Sequence, residues 1–284
     1  MSKFTSRQWL AIAGFFLLFI VLFFINRKAP AVEGATEQLQ SGHSGAVIKF
    51  DDIIKESEDS LSPSDKKLVD QLKNSLKNVP DSIKVHILGR LSQVLDSIGQ
   101  PVISAYYMEE LAVLTNSPLL WVKSGQKFFD YSNIGKGDIR EVFLNHAQIC
   151  FKNAIAIDSN YADGIIGLGE CRVELDPTPM SGIQTIMKVI IKDSNNRNAQ
   201  IALGKLSIRS NQFEKAIYRF NRALQIDSSY KDAYVFLAEA YNGIGNKAEE
   251  VANLKKYRTF APDSATRAEI DKIINHSEQS DTTK

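Results

Sequence analysis

Residues 197–227 read RNAQIALGKLSIRSNQFEKAIYRFNRALQID, and this stretch decides the fold because it encodes two amphipathic helices in succession. On the second helix, small and aromatic residues recur at the i, i+4, i+7 spacing of one helical face, at Ala216, Phe220 and Ala223. Neither helix can bury its apolar stripe alone, so the pair requires neighbours. A second copy opens at Lys231, about 34 residues after the first.

The same pattern extends toward the amino terminus. Ala147, Phe151 and Ala154 repeat the spacing of the small and aromatic residues, and Ile157-Asp158-Ser159 recurs as Ile226-Asp227-Ser228. This arrangement resembles the tetratricopeptide repeat, a helix-turn-helix unit of about 34 residues. The resemblance implies an all-α protein, an α-solenoid of stacked repeats. We place the repeats at about 81–117, 118–161, 162–196, 197–230 and 231–264, followed by a capping helix at about 265–276.

Three departures from the repeat pattern are visible. An enlarged loop occupies Tyr131–Asp138, and two prolines stiffen the corner at Asp176–Met180. Glu250 stands where the repeat normally has alanine, which leaves its packing unexplained. Such irregular segments are the places where a repeat protein carries individual features, because the regular units mainly stack on one another.

Composition limits the classes of function. The chain has 284 residues and a formal net charge of +1, from 34 basic and 33 acidic residues, so no basic face predicts nucleic-acid binding. A solenoid can reach this length without a second domain. Cys150 and Cys171 are too few for a disulfide framework. Whether they are free buried thiols or a pair stays open at this stage.

An uncharged apolar run, Trp9–Ile25, follows a short flank at residues 1–8. Its length of about 17 residues is at the short end of what spans a bilayer, so the run predicts one transmembrane helix at the amino terminus. A cleaved signal peptide is the alternative, since Ala29-Pro30-Ala31 has the small residues of a cleavage site. Basic groups flank both ends of the run, with a slight excess on the amino-terminal side, which carries Lys3, Arg7 and the α-amino group. Because positive flanks stay in the cytoplasm, this excess favours an extracytoplasmic, periplasmic repeat domain.

Residues 26–62 are rich in Gly, Ser, Ala, Glu and Gln, which predicts a flexible linker before a solenoid at 63–276. Apolar residues near Ile53 interrupt the linker and allow a short amphipathic helix that docks on the first repeat or on a partner. The polar residues 277–284 predict a disordered tail.

No nucleophile motif, phosphate loop or paired carboxylate of the catalytic kind is present, so the sequence predicts neither an enzyme nor a bound cofactor. His146 and Cys150 lie four residues apart on one helix face, a spacing that metal sites use, but no further ligand lies nearby in sequence, and we predict no metal. Asp158, Asp193 and Asp227 recur before each inter-repeat turn, which favours a turn role.

In the family that the repeats resemble, the first helix of each unit lines a concave groove that binds peptides. By register, the resemblance implies a groove lined by four sets of residues, one from each first helix. These are Val122, Gln126 and Phe129; Asp163, Ile166, Glu170 and Val173; Asn198, Ile201, Lys205 and Ile208; and Asp232, Val235, Glu239 and Asn242. The lining is mixed apolar and acidic, and Lys205 alone would suit a carboxylate clamp, so chaperone-tail binding is not expected.

The sequence therefore predicts a single-pass membrane protein that resembles bacterial membrane-anchored repeat proteins. Its expected partners are the lipid bilayer, through residues 9–25, and a protein or peptide in the groove, with no nucleic acid. The expected function is a scaffold or adaptor for assembling a membrane or envelope complex. A peptide-binding assembly chaperone, of the kind used in cytochrome maturation, and a self-assembling homo-oligomer stay open.

Overall fold

A computed structural model describes residues 49–176 and 178–281. Within these residues all regular structure is helical, and none of the helices is long and apolar enough to cross a bilayer. The predicted membrane segment at 9–25, with its flank and most of the predicted linker, lies outside the described residues.

Thirteen helices are present in the described part of the chain. They are α1 Phe50–Asp59, α2 Pro63–Ser75, α3 Asp81–Ser97, α4 Pro101–Thr115, α5 Pro118–Ser132, α6 Asp138–Ile157, α7 Ala162–Leu175, α8 Met180–Lys192, α9 Arg197–Arg209, α10 Phe213–Ile226, α11 Ala233–Gly243, α12 Lys247–Arg258 and α13 Ser264–Asp281.

The helices pack in consecutive pairs. The pairs are α3 with α4, α5 with α6, α7 with α8, α9 with α10 and α11 with α12, and each pair also contacts the next. We call α5, α7, α9 and α11 the first helices and their partners the second helices. The first helices touch one another in sequence order, α5 on α7, α7 on α9 and α9 on α11. This stacking is the solenoid that the repeat spacing predicts.

Glycine lets the two helices of a repeat approach closely. A Cβ added at Gly204 on α9 would lie 2.8 Å from the Phe220 ring on α10, and one added at Gly125 on α5 would lie 3.0 Å from the Phe151 ring on α6. Both glycines therefore face the aromatic residue that the repeat pattern places on the second helix. The missing side chain is what allows that ring to fill the space between the helices.

The turns between repeats use the predicted aspartates. Asp158, Asp193 and Asp227 each accept a hydrogen bond of 2.9 Å from the backbone N–H two residues further on. This bond replaces a backbone partner at the point where the second helix ends, so the turn role is confirmed.

Helix α1 forms inside the stretch whose composition predicts a linker. Its apolar side packs on α4 and α6, with Ile54 buried and the Phe50 ring edge-on to Phe128 at 5.2 Å between centroids. The short docked helix that the residues near Ile53 allow is therefore formed. Acidic Asp51 and Asp52 lie in its first turn, where they interact favourably with the helix dipole.

At the carboxyl end, α13 continues past the position where the sequence predicts a disordered tail. Ile270, Ile274 and Ser277 are buried at the i, i+4, i+7 spacing of one helical face. Ser277 donates a hydrogen bond of 2.7 Å to Glu250, whose carboxylate also accepts one of 2.8 Å from Lys247. The packing of Glu250 is thus explained, because the terminal helix supplies a partner for its buried carboxylate.

Candidate functional site

The predicted groove residues lie on the first helices, except Asp232, which is the N-cap residue just before α11. We call the surface that these helices share the first-helix face. Within it, Ile166 and Ile201 are buried between helices and belong to the repeat cores. They support the face and are closed to a ligand. Val122, Phe129 and Ile208 are half-buried and pack against the same cores with part of their surface.

Other predicted residues present their side chains to solvent. Gln126, Lys205, Asp232, Glu239 and Asn242 are exposed. Val173 and Val235 are half-buried on the same helices. The first-helix face therefore carries both apolar and polar side chains. Whether this surface binds a peptide stays a prediction.

At one edge of the face, neighbouring repeats are joined by a side-chain hydrogen bond. Asn198 on α9 donates to Asp163 on α7 at 2.8 Å. The bond links two predicted groove residues, each of which lies in the first turn of its helix. A cleft of about 460 Å³ adjoins it, lined in part by Tyr161, Asn195 and Arg197. Asp163 and Asn198 are therefore already hydrogen-bonded to each other.

At the other edge, Glu174 on α7 forms ion pairs with Arg209 on α9 and Arg140 on α6. The Glu174 carboxylate is almost completely buried by these two guanidinium groups, and a carboxylate held by two arginines is a rigid arrangement. The sequence does not predict this cluster. Its only signal is that Glu174 and Arg209 stand one repeat apart, at the same position of successive first helices.

Glu170 lies on α7 between Asp163 and Glu174, the residues at the two edges of the first-helix face. Burial, with contributions from Asp130 and Glu174, raises its pKa from 4.5 to about 7, against the opposing effect of Lys205. Within the described residues, no side chain forms a hydrogen bond or ion pair with Glu170. The Lys205 Nζ instead lies 5.2 Å from the centroid of the Phe236 ring, within the range of a cation–π contact.

Both cysteines are free and buried, which settles the pairing question in favour of separate thiols. Burial raises the pKa of Cys150 and of Cys171, so neither thiol is a reactive nucleophile at neutral pH.

No protein-family model matches the sequence, and a search of curated proteins finds no match. Solved structures do match. A tetratricopeptide repeat protein from Parabacteroides merdae has a TM-score of 0.54 at 12% identity, over 81% of this chain and 87% of that one. A thermophilic repeat protein from Thermus thermophilus has a TM-score of 0.53 at 14% identity, over 70% of this chain and 100% of that one.

PilW, a type IV pilus biogenesis factor, has a TM-score of 0.52 at 17% identity, over 70% of this chain and 86% of that one. At these identities the matches define the fold alone. Together with the paired helices, the glycine–aromatic contacts and the repeated turn aspartates, they show that the described residues have the fold of a tetratricopeptide-repeat solenoid. The resemblance that the sequence suggests is thereby confirmed at the level of fold.

Proposed function

We propose that this protein is a membrane-anchored scaffold whose first-helix face holds a segment of a partner protein that carries basic and apolar side chains. The observation that carries the proposal is Glu170. A half-buried carboxylate without an ion pair is costly when ionised, and a cation from a bound partner would offset that cost.

The surroundings of Glu170 support the same partner chemistry. Asp130 and Glu239 add negative charge on the first helices, and Arg209 is ion-paired with Glu174. Val173 and Val235 supply half-buried apolar surface beside the charges. A partner segment with alternating apolar and basic residues, in an extended or helical conformation, would match this surface in both respects.

The anchor is the second part of the proposal. The uncharged run Trp9–Ile25 would hold the chain in the bilayer, and the residues between it and α1 would act as a tether. The charges that flank the run favour an extracytoplasmic repeat domain. A scaffold in that place would gather components of an envelope complex near the membrane, either as a passive adaptor or as a chaperone for one client.

Self-assembly is a second candidate, and exposed apolar residues on the second helices support it. Ile191 on α8 is 80% exposed and Tyr218 on α10 is 63% exposed, whereas Glu170 lies on the first helix α7. Exposed apolar side chains of this size mark interaction surfaces when they lie together. Sedimentation of the full-length protein in detergent distinguishes self-assembly from the scaffold function. A self-assembling chain forms larger species as its concentration rises, without any partner.

The experiment that tests the proposed scaffold is cross-linking in intact membranes followed by capture of the full-length chain. Wild type is compared with Glu170→Gln, which removes the central charge, and with Glu249→Gln, which makes the same change at an exposed site on α12. We expect the partner to be lost from Glu170→Gln and retained by Glu249→Gln. Equal recovery from both variants would overturn the proposed binding face.

Protease added to spheroplasts tests the orientation, because removal of the outer envelope exposes the extracytoplasmic side of the inner membrane. Cleavage of the repeat domain in spheroplasts supports an extracytoplasmic location. Protection in spheroplasts, with cleavage after lysis, would overturn it.

A further inference from the structure

Three side chains with different metal-binding atoms meet between α4 and α6, the later helices of the first two helix pairs in the solenoid. Glu109 comes from α4, and His146 and Cys150 come from α6. The Cys150 thiol donates a hydrogen bond of 2.6 Å to the Glu109 carboxylate, and the His146 Nε2 lies 3.0 Å from the same carboxylate. One donor atom from each residue lies within 4.8 Å of the other two.

Glu109 is out of place for a repeat protein. It follows Ala105 by four residues, as Phe151 follows Ala147 and Phe220 follows Ala216. A carboxylate therefore stands at the position where the next repeat places a fully buried aromatic ring. Replacing core hydrocarbon with an acidic group lowers stability unless the group has partners, so its placement against a histidine and a cysteine requires an explanation.

We propose that Glu109, His146 and Cys150 form a binding site for a divalent transition-metal ion of the Zn²⁺ type. Zn²⁺ accepts one sulfur, one nitrogen and one oxygen ligand in tetrahedral sites, at bond lengths of about 2.0 to 2.3 Å. Those bond lengths place ligand atoms about 3.3 to 3.8 Å apart. In the cluster, two ligand-atom separations are 2.6 and 3.0 Å, and none exceeds 4.8 Å. These distances bracket the range that the metal requires, so small side-chain shifts are enough to bind it.

The mixed donor set selects the class of ion. Mg²⁺ and Ca²⁺ prefer oxygen ligands alone, whereas thiolate and imidazole favour Zn²⁺ and related first-row ions. On binding, the Cys150 thiol loses its proton to solvent and its sulfur bonds to the metal in place of the hydrogen bond to Glu109. Three protein ligands leave the fourth position for water or another small ligand.

Phe50 of α1 covers this cluster. Its ring stacks on the His146 imidazole with 3.5 Å between centroids and 9° between planes. The side chains of His146 and Glu109 are only 13% and 14% exposed, and Cys150 is fully buried. The ring therefore fixes the imidazole and shields the cluster from water, as the apolar surroundings of metal sites do. We infer that Phe50 controls how fast an ion enters and leaves.

Cobalt substitution tests the site directly in the full-length protein in detergent, stripped with a chelator and then titrated with Co²⁺. A cobalt–thiolate bond gives a charge-transfer absorption that carboxylate and histidine ligands do not give. We expect one Co²⁺ per chain with this absorption, displaced by Zn²⁺. Absence of the absorption in the wild-type protein would overturn the proposal.

Variants assign the ligands. Cys150→Ser should abolish the absorption, and Glu109→Gln should weaken Zn²⁺ binding by about 10-fold or more. Cys171→Ser is the matched control, because Cys171 is a free buried thiol outside the cluster. Absorption that survives in Cys150→Ser but disappears in Cys171→Ser would contradict the assignment. If Cys150→Ser does not fold, His146→Ala replaces it, and unchanged Co²⁺ affinity in that variant counts equally against the site.

Phe50→Ala leaves all three ligands in place. We expect it to bind the same amount of Zn²⁺ but to release it to a chelator several times faster than the wild type. A release rate equal to that of the wild type would contradict the role of Phe50 as the cover of the site.

Discussion

Lys205 lies over the ring of Phe236, with its Nζ 5.2 Å from the ring centroid, and does not form an ion pair with Glu170 on the adjacent first helix. Lys205 lowers the pKa of Glu170, but burial raises it by more, to about 7. Within the described residues, the Glu170 carboxylate of the first-helix face is therefore left without an ion pair.

The first prediction concerns pH. In the unfolded chain Glu170 ionises near 4.5, whereas in the folded chain its pKa is about 7. Below pH 4.5 Glu170 is protonated in both states. Between pH 4.5 and 7 it ionises in the unfolded chain but stays mostly protonated in the folded chain, so ionisation lowers the free energy of the unfolded chain. Folded stability should fall over this range by up to about 3 kcal/mol. Glu170→Gln should remove that dependence.

Thermal melts at pH 5 and pH 8 check this prediction. The melting temperature of Glu170→Gln minus that of wild type should be larger at pH 8 than at pH 5. Glu249→Gln should keep the same difference from wild type at both pH values. A constant difference between Glu170→Gln and wild type would show that Glu170 has an ordinary pKa.

The second prediction concerns the closeness of the helices in a repeat. Gly204→Ala places a Cβ 2.8 Å from the Phe220 ring and should destabilise by about 1 to 3 kcal/mol, because the ring cannot move in a packed core. Gly89→Ala is the matched control, since its nearest contact is 3.9 Å away on a Leu111 side chain. That substitution should be neutral or stabilising, as alanine favours the helix. Denaturant unfolding measures both, and equal effects would contradict the packing argument.

The third prediction concerns the terminal helix. Ser277→Ala removes a 2.7 Å hydrogen bond to the buried carboxylate of Glu250 and should cost about 1 to 3 kcal/mol. Ser75→Ala is the control, because the Ser75 hydroxyl is exposed and bonds only within its own helix. If residues beyond 276 were disordered, the two variants would unfold alike.

The fourth prediction concerns the contact between repeats. Asn198→Ala and Asp163→Ala each remove one partner of a hydrogen bond that joins two first helices. The double variant should be destabilised by less than the sum of the single variants, with a coupling of about 0.5 to 1.5 kcal/mol. Strict additivity would mean that the bond does not form in solution.

Periodicity made the solenoid predictable. Ala216, Phe220 and Ala223 share one face of a helix, and the structure packs them at the core of their repeat. The same reasoning found the turn aspartates, because both features depend on residues close together in sequence. The end of α13 was predicted wrongly, because the buried face is formed partly by a serine and the hydrophobic pattern ends at Ile274, about two turns before the helix ends at Asp281.

The parts of the site that sequence reasoning missed depend on distant partners. Glu174 is neutralised by Arg140 and Arg209, which lie 34 and 35 residues away. Glu109 lies 37 residues from His146, so the pair His146 and Cys150 lacked a visible third ligand. Only the stacking of repeats brings these groups together, and no local pattern encodes which charged residues become paired. The same limitation applies to Glu170, whose pKa is set by burial.

The most direct test of the account is site-specific photo-cross-linking in intact membranes. A photoreactive residue is placed at Val173, beside Glu170, and in a second strain at Ile191, which is 80% exposed on a second helix. We expect an adduct from position 173 that mass spectrometry maps to a partner segment with basic and apolar residues, and we expect this adduct to be lost in Glu170→Lys. An adduct from position 191 alone, or one at position 173 that survives the charge reversal, would contradict binding at the first-helix face.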